Sequence, residues 1–191
     1  MIAQKRGTIV DEPGNGRVEI FALDTSEAAL FSLCRSLFEN AWQDLVFGIF
    51  IQGAAWEIRA PCAPQRIALS DGYLTVDFGV WHFHICIGPH QGTRKAPASP
   101  ELARIRRTAR AELYRLLGPD GAPTSWGLRL FNGNGEQQMN IFFPNPFLTK
   151  AGKIRQTPDW SRLEIWDRTR QQALGLAPDM YDRAGKAFWH P

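Results

Sequence analysis

In residues 73–78, Tyr-Leu-Thr-Val-Asp-Phe, and again from Trp81 to Ile87, side chains alternate with a period of two. That period commits a segment to a β-strand, because successive residues of a strand point to opposite faces. Asp71-Gly72 stands just ahead of the first run and Gly79 separates it from the second. A two-residue Asp-Gly step between alternating runs is the signature of a tight antiparallel hairpin. Residues 45–52, 55–59 and 66–70 are rich in apolar and β-branched side chains. The whole of 45–88 therefore reads as an antiparallel meander.

Other segments carry the helical period. Asp24 and Glu27 stand at capping-box spacing, and Leu30, Leu33, Cys34, Leu37, Phe38 and Ala41 follow on one face, which predicts a helix over 26–42. Ser99, Pro100 and Glu101 supply a cap, a first-turn proline and a first-turn acid; Leu102, Ile105, Ala109, Leu113 and Leu116 extend the pattern to 117. A third helix is predicted over 159–174, with Gly175 as its stop. Residues 17–22, 126–131 and 137–143 are further strand candidates, the last two joined through Asn132-Gly133-Asn134-Gly135. The expectation is a single α+β domain with a mostly antiparallel sheet of about six strands, flanked by three helices. Val76, Phe83, Ile85, Leu128 and Leu130 would form its inner face. Residues 1–16 read as a short arm and 178–191, including His190, as a loosely packed tail.

A chain of 191 residues with 44% hydrophobic side chains can bury a sizeable core, and the seven tryptophans suit large core positions. A net charge of +3 is too small to point to nucleic acid. Arg104, Arg106, Arg107 and Arg110 fit the solvated side of a helix, and no nucleic-acid-binding signature accompanies them. No stretch approaches the ~20 apolar residues of a membrane span, and no apolar run follows Lys5-Arg6 as in a secretory leader. Three cysteines cannot all pair within one chain, so a reducing, cytoplasmic location is expected. Self-association into a homo-oligomer stays open.

The same period of two concentrates chemistry in one place. It sets Phe83, Ile85 and Ile87 on one strand face and His82, His84 and Cys86 on the other, with His90 on the turn behind. Imidazoles two residues apart lie ~6.5 Å from each other along a strand, a spacing from which both can turn onto one metal ion. Imidazole with thiolate suits a transition metal, zinc or iron first, over magnesium or calcium. The competing reading is a sheet face on which the histidines make ordinary hydrogen bonds and Cys86 is packing. A second polar face carries Glu136, Gln138 and Asn140, with Arg129 on the preceding strand. There Arg129 and Glu136 are candidate catalytic residues that would orient a polar or anionic substrate, and Gln138 a candidate cofactor contact. Sharper motifs are absent: no glutamate follows His84 at cupin spacing, and there is no Walker, Rossmann or Gly-x-Ser-x-Gly pattern.

The strings at 73–79, 82–88 (His-Phe-His-Ile-Cys-Ile-Gly) and 130–138 (Leu-Phe-Asn-Gly-Asn-Gly-Glu-Gln-Gln) resemble an uncharacterised family of bacterial proteins, over about residues 45–170. The resemblance implies no activity. The expectation is thus a small cytoplasmic metal-binding protein using His82 and His84, with Cys86 or His90 as a third ligand; whether it is an enzyme stays open. Two alternatives stand beside it. One is a non-catalytic module that binds a small molecule or haem through one histidine. The other is an assembly partner of an enzyme, anchored by exposed aromatic residues.

Overall fold

A computed structural model describes residues 7–51 and 53–189. Residues 1–6 of the expected arm, and His190, lie outside the described residues. The strands are β1 (Thr8–Glu12), β2 (Gly16–Ala22), β3 (Val46–Gly48), β4 (Arg66–Ser70), β5 (Tyr73–Asp77), β6 (His82–Cys86), β7 (Thr108–Leu117), β8 (Pro123–Asn132) and β9 (Gln137–Phe142). The helices are α1 (Glu27–Asn40), α2 (Pro100–Arg106) and α3 (Glu164–Leu174). One antiparallel sheet of six strands has the order β1-β2-β7-β8-β9-β3, and a second has the order β4-β5-β6. Two short ladders pair Phe50–Ile51 with Ala54–Ala55 and Gly92–Thr93 with Ala96–Pro97. The fold class is α+β.

The chain divides into two compact units. The first comprises the residues up to 23, 112–128 and those from 142 on. In it β2 pairs antiparallel with β1 and with the second half of β7, setting Val18 opposite Leu116 and Ile20 opposite Tyr114. Val18, Leu113, Trp126, Leu163 and Trp166 are fully buried there, and Phe21 meets the Trp166 ring edge-on at 6.2 Å. Gly175 ends α3 in the left-handed conformation, its N–H returning to the carbonyls of Arg170 and Gln171. Beyond it, residues of the expected loose tail are held: Met180–Arg183 form a 3₁₀ turn in which Asp182 is fully buried.

The second unit comprises residues 24–111 and 129–141. Helix α1 buries the face its spacing predicts: Leu30, Leu33, Cys34, Leu37 and Phe38. Its cap differs from expectation. Ser26, not Asp24, is the N-cap and accepts from the Ala29 N–H, while Asp24 accepts from the Ser26 N–H and hydroxyl at 2.8 and 2.9 Å. Phe38 lies 5.1 Å from Phe47 and 5.3 Å from Phe83, ring centre to ring centre. Asp71 and Gly72 make the β4–β5 turn with φ of 48° and 76°, the positive pair that a type I′ hairpin needs. Across β5 and β6 the register opposes Asp77 to His82, Thr75 to His84 and Tyr73 to Cys86.

Three sequence expectations are corrected. The helix expected over 99–117 ends at Arg106, and residues 108–117 are β7. Its helical period arose by coincidence of apolar positions; in the sheet Glu112, Leu113, Tyr114 and Arg115 are all buried, so β7 has no polar face for alternation to mark. The meander over 45–88 shrinks to β4–β6, because β3 joins the six-stranded sheet and Ile58 makes only an isolated bridge to Phe47. The expected single inner face is split: Val76, Phe83 and Ile85 lie on the small sheet, Leu128 and Leu130 on the large one.

Candidate functional site

The second unit holds an open cavity of about 530 Å³ lined by Thr25, Pro89, His90, Ala103, Arg104, Arg107, Thr108 and Ala109. His90 is its one imidazole, with a side chain only 10% exposed. Its position follows from the β4–β5 turn. The Asp71 carboxylate accepts from the backbone N–H groups of Gln91 and Gly92 at 2.7 and 3.0 Å and meets His90 Nδ1 at 2.8 Å. These bonds, Gln91 foremost, hold the Asp71 pKa below the ordinary carboxylate value despite some desolvation. On its other side, His90 Nε2 lies 3.0 Å from an Arg106 guanidinium nitrogen. Arginine can only donate, so the tautomer that serves both partners carries its proton on Nδ1 and presents a lone pair at Nε2.

A polar chain continues from there. Tyr73 packs edge-on to His90 at 5.1 Å, and its hydroxyl interacts with Arg106 and the Cys86 thiol. Burial is the main cause that raises the pKa of both Tyr73 and Cys86. Thr108, on the cavity wall, has its hydroxyl 2.8 Å from Gln138 Oε1 and 3.1 Å from the Cys86 carbonyl, two acceptors for its one proton, and Gln138 Nε2 donates to the Arg106 carbonyl at 2.8 Å. Arg104 donates to the Gly133 carbonyl at 3.0 Å and pairs with Glu101. Arg107 reaches the same cavity from the residue that caps α2.

The residues singled out from the sequence fall into separate places. His82 and His84 are exposed neighbours on β6, their rings 4.9 Å apart, with His84 Nδ1 bonded to the Thr75 hydroxyl at 2.8 Å. Cys86 shares their strand phase but is buried, its thiol directed at the Gly88 carbonyl at 3.6 Å. His90 stands apart from that pair, tied to Asp71 and Arg106. Among the described residues, no group of three or more His, Cys, Asp or Glu is placed to hold a metal ion. Glu136 is exposed and accepts from Asn132 Nδ2 within its own hairpin turn. Arg129 and Asn140 are buried, the Arg129 guanidinium 5.6 Å above the Phe131 ring. Of the second polar face, Gln138 joins the surroundings of the His90 cavity, through Thr108 and the Arg106 carbonyl.

Asp71, Tyr73, Arg106, Arg107 and Thr108 went unrecognised as site residues in the sequence. Asp71 carried a turn signal that hid its second use as an acceptor, and the arginines read as the outer face of a longer helix. No helix of the described residues is long and apolar enough to cross a membrane.

No curated protein matches the chain. Among solved structures, ChuS, an E. coli heme oxygenase, has a TM-score of 0.48 at 13% identity, over 83% of this chain. This chain spans only 37% of the length of ChuS. Two structures of ChuX follow: one with a TM-score of 0.44 at 8% identity, over 81% of this chain and 76% of that one, and one described as a heme binding protein, with 0.43 at 11%, over 72% and 68%. Likenesses this remote leave fold and site to be argued from the chain's own residues. A family model, by contrast, matches residues 7–175. The chain belongs to that family, a family of unknown function (DUF7676).

Proposed function

We propose that the protein is a non-catalytic binding module for a small molecule, seated in the cavity beside His90. The observation that carries this reading is the convergence of one nearly buried, oriented imidazole with arginines around a concave space. About 530 Å³ falls within the range of small-ligand sites, roughly 300–1,000 Å³. Pro89, Ala103 and Ala109 offer apolar contact, and Arg104 and Arg107 offer positive charge.

Haem is the first ligand to try, because the donor set fits it. An imidazole whose Nδ1–H is held by a carboxylate is oriented as an iron ligand through Nε2, and the arginines match propionates. When bound, haem would supply a redox-active iron; the chain's own residues supply the oriented imidazole, the countercharge and the apolar wall. Arg106, which is exposed, would have to release Nε2. Titration with haem should give a Soret band in the wild type and in His82→Ala and His84→Ala, and lose it in His90→Ala. A band that survives in His90→Ala would overturn the reading.

A second reading keeps the metal expectation at its narrowest. It is favoured by the two exposed imidazoles of His82 and His84 at 4.9 Å. They would hold zinc or another transition ion with water completing the coordination, and neither Cys86 nor His90 would take part.

A further inference from the structure

The first unit encloses a carboxylate in an arrangement made of four donors. Asp182 is fully buried, as are Trp126, Trp166 and Arg170, and Arg115 is 2% exposed. Asp182 Oδ1 accepts from an Arg115 guanidinium N–H at 2.7 Å and from the Trp126 indole N–H at 2.8 Å. Oδ2 accepts from the Trp166 indole N–H at 2.9 Å and from Arg170 at 3.4 Å. An indole can only donate, and neither guanidinium accepts. The four groups therefore offer donors alone, two of them positively charged, which suits an anion with two oxygens.

Charge strengthens the point. Arg115 also meets Glu19 at 2.8 Å and Asp179 at 3.2 Å. Without residues 179–183, Arg115 would keep Glu19 and Arg170 the Ala177 carbonyl as acceptors among the described residues, and both indole N–H groups would lose theirs. A buried charge left in that state is strongly unfavourable, so the vacated place would draw in an anion. The donors also exceed what Asp182 uses: Arg170 Nε, in a residue with no exposed surface, has no acceptor among the described residues. Finally, all four donors lie inside the stretch matched by the family model, residues 7–175, whereas Asp179 and Asp182 lie beyond it.

We propose that Arg115, Arg170, Trp126 and Trp166 form a carboxylate-binding site, which this chain fills with its own Asp182. Residues 179–183 act as a tethered ligand, fastened by Asp182 and covered by Tyr181, whose ring lies 4.5 Å from the Arg115 guanidinium carbon. The ligand class is a compact monocarboxylate.

Acetate is the piece of Asp182 that Asp182→Gly deletes, so it is the probe. The experiment compares thermal midpoints and tryptophan fluorescence of the full chain in acetate and in chloride at equal ionic strength. The wild type should show the same midpoint in both. Asp182→Gly should lose several degrees in chloride and recover much of the loss in acetate, with a concentration dependence that follows mass action. Asp182→Leu, which fills the space without charge, should not respond. If Asp182→Gly does not fold in chloride, its refolding yield in acetate against chloride is read in the same way. An acetate response no larger than that of the wild type, or equal to that of Asp182→Leu, overturns the proposal.

Discussion

Phe83 and His84 are adjacent on β6 and meet opposite surroundings. The Phe83 ring is half-buried against Phe38 and Phe47 at 5.3 and 5.7 Å, whereas His84 is exposed, with its Nδ1 bonded to the Thr75 hydroxyl and its ring beside that of His82. Removing the ring leaves a partial cavity, so Phe83→Ala should cost roughly 2–4 kcal/mol. His84→Ala should cost under about 1 kcal/mol, as surface changes do. Denaturant midpoints decide this, and a zinc arm tests the two-imidazole reading. Zinc should raise the wild-type midpoint and leave His84→Ala unmoved. If zinc moves neither protein, the metal reading fails; if His84→Ala is as damaging as Phe83→Ala, His84 is a packing residue. The strand phase that separates these two side chains was legible in the sequence, because alternation on β6 needs only local geometry. That Cys86 departs from its two phase-mates was not, since its burial comes from contacts with residues far along the chain.

Elements show the same division more sharply. The Asp71-Gly72 turn was readable from two letters because positive φ at both positions is a local demand. Its second duty is tertiary: a Cβ on Gly72 would run into the Pro89 carbonyl oxygen and stand 2.7 Å from the Gly88 carbonyl carbon. Gly72→Ala should therefore cost about 2 kcal/mol or more through strain and displacement together. It should also weaken ligand binding at His90 out of proportion to its distance in sequence, because the segment it pushes carries that histidine. Calorimetry of unfolding together with haem titration measures both; a destabilised variant with unchanged binding would separate the turn from the site. Strand β7 is the counter-example. Its charges Glu112 and Arg115 are buried, and buried charge cannot be told from exposed charge by composition. With no alternation along β7 to compete, a helical pattern of leucines decided the reading.

The folded molecule as a whole sorts its three thiols. Cys34 lies on the buried face of α1, 1% exposed, and burial pushes its pKa up to about 12. Cys86 is 3% exposed with its pKa also raised by burial, while Cys62 is exposed. Reactivity follows thiolate character and access. An aromatic disulfide reagent at neutral pH should modify Cys62 quickly in native protein, and all three thiols only after denaturation. Rapid reaction of a second thiol in native protein would contradict the packing described. By itself the sequence determined the α+β class, the faces of α1, the Ser99 and Gly175 boundaries and the β4–β6 hairpins. Each of these follows from periods and turn chemistry that act within a few residues. Only the tertiary structure decided which polar groups matter. His90 finds Asp71 nineteen residues away, Thr108 finds Gln138 thirty away, and Asp182 finds Arg115 sixty-seven away. Such partners are chosen by long-range packing, and the free energy that makes a buried polar group need them is absent until the core has formed.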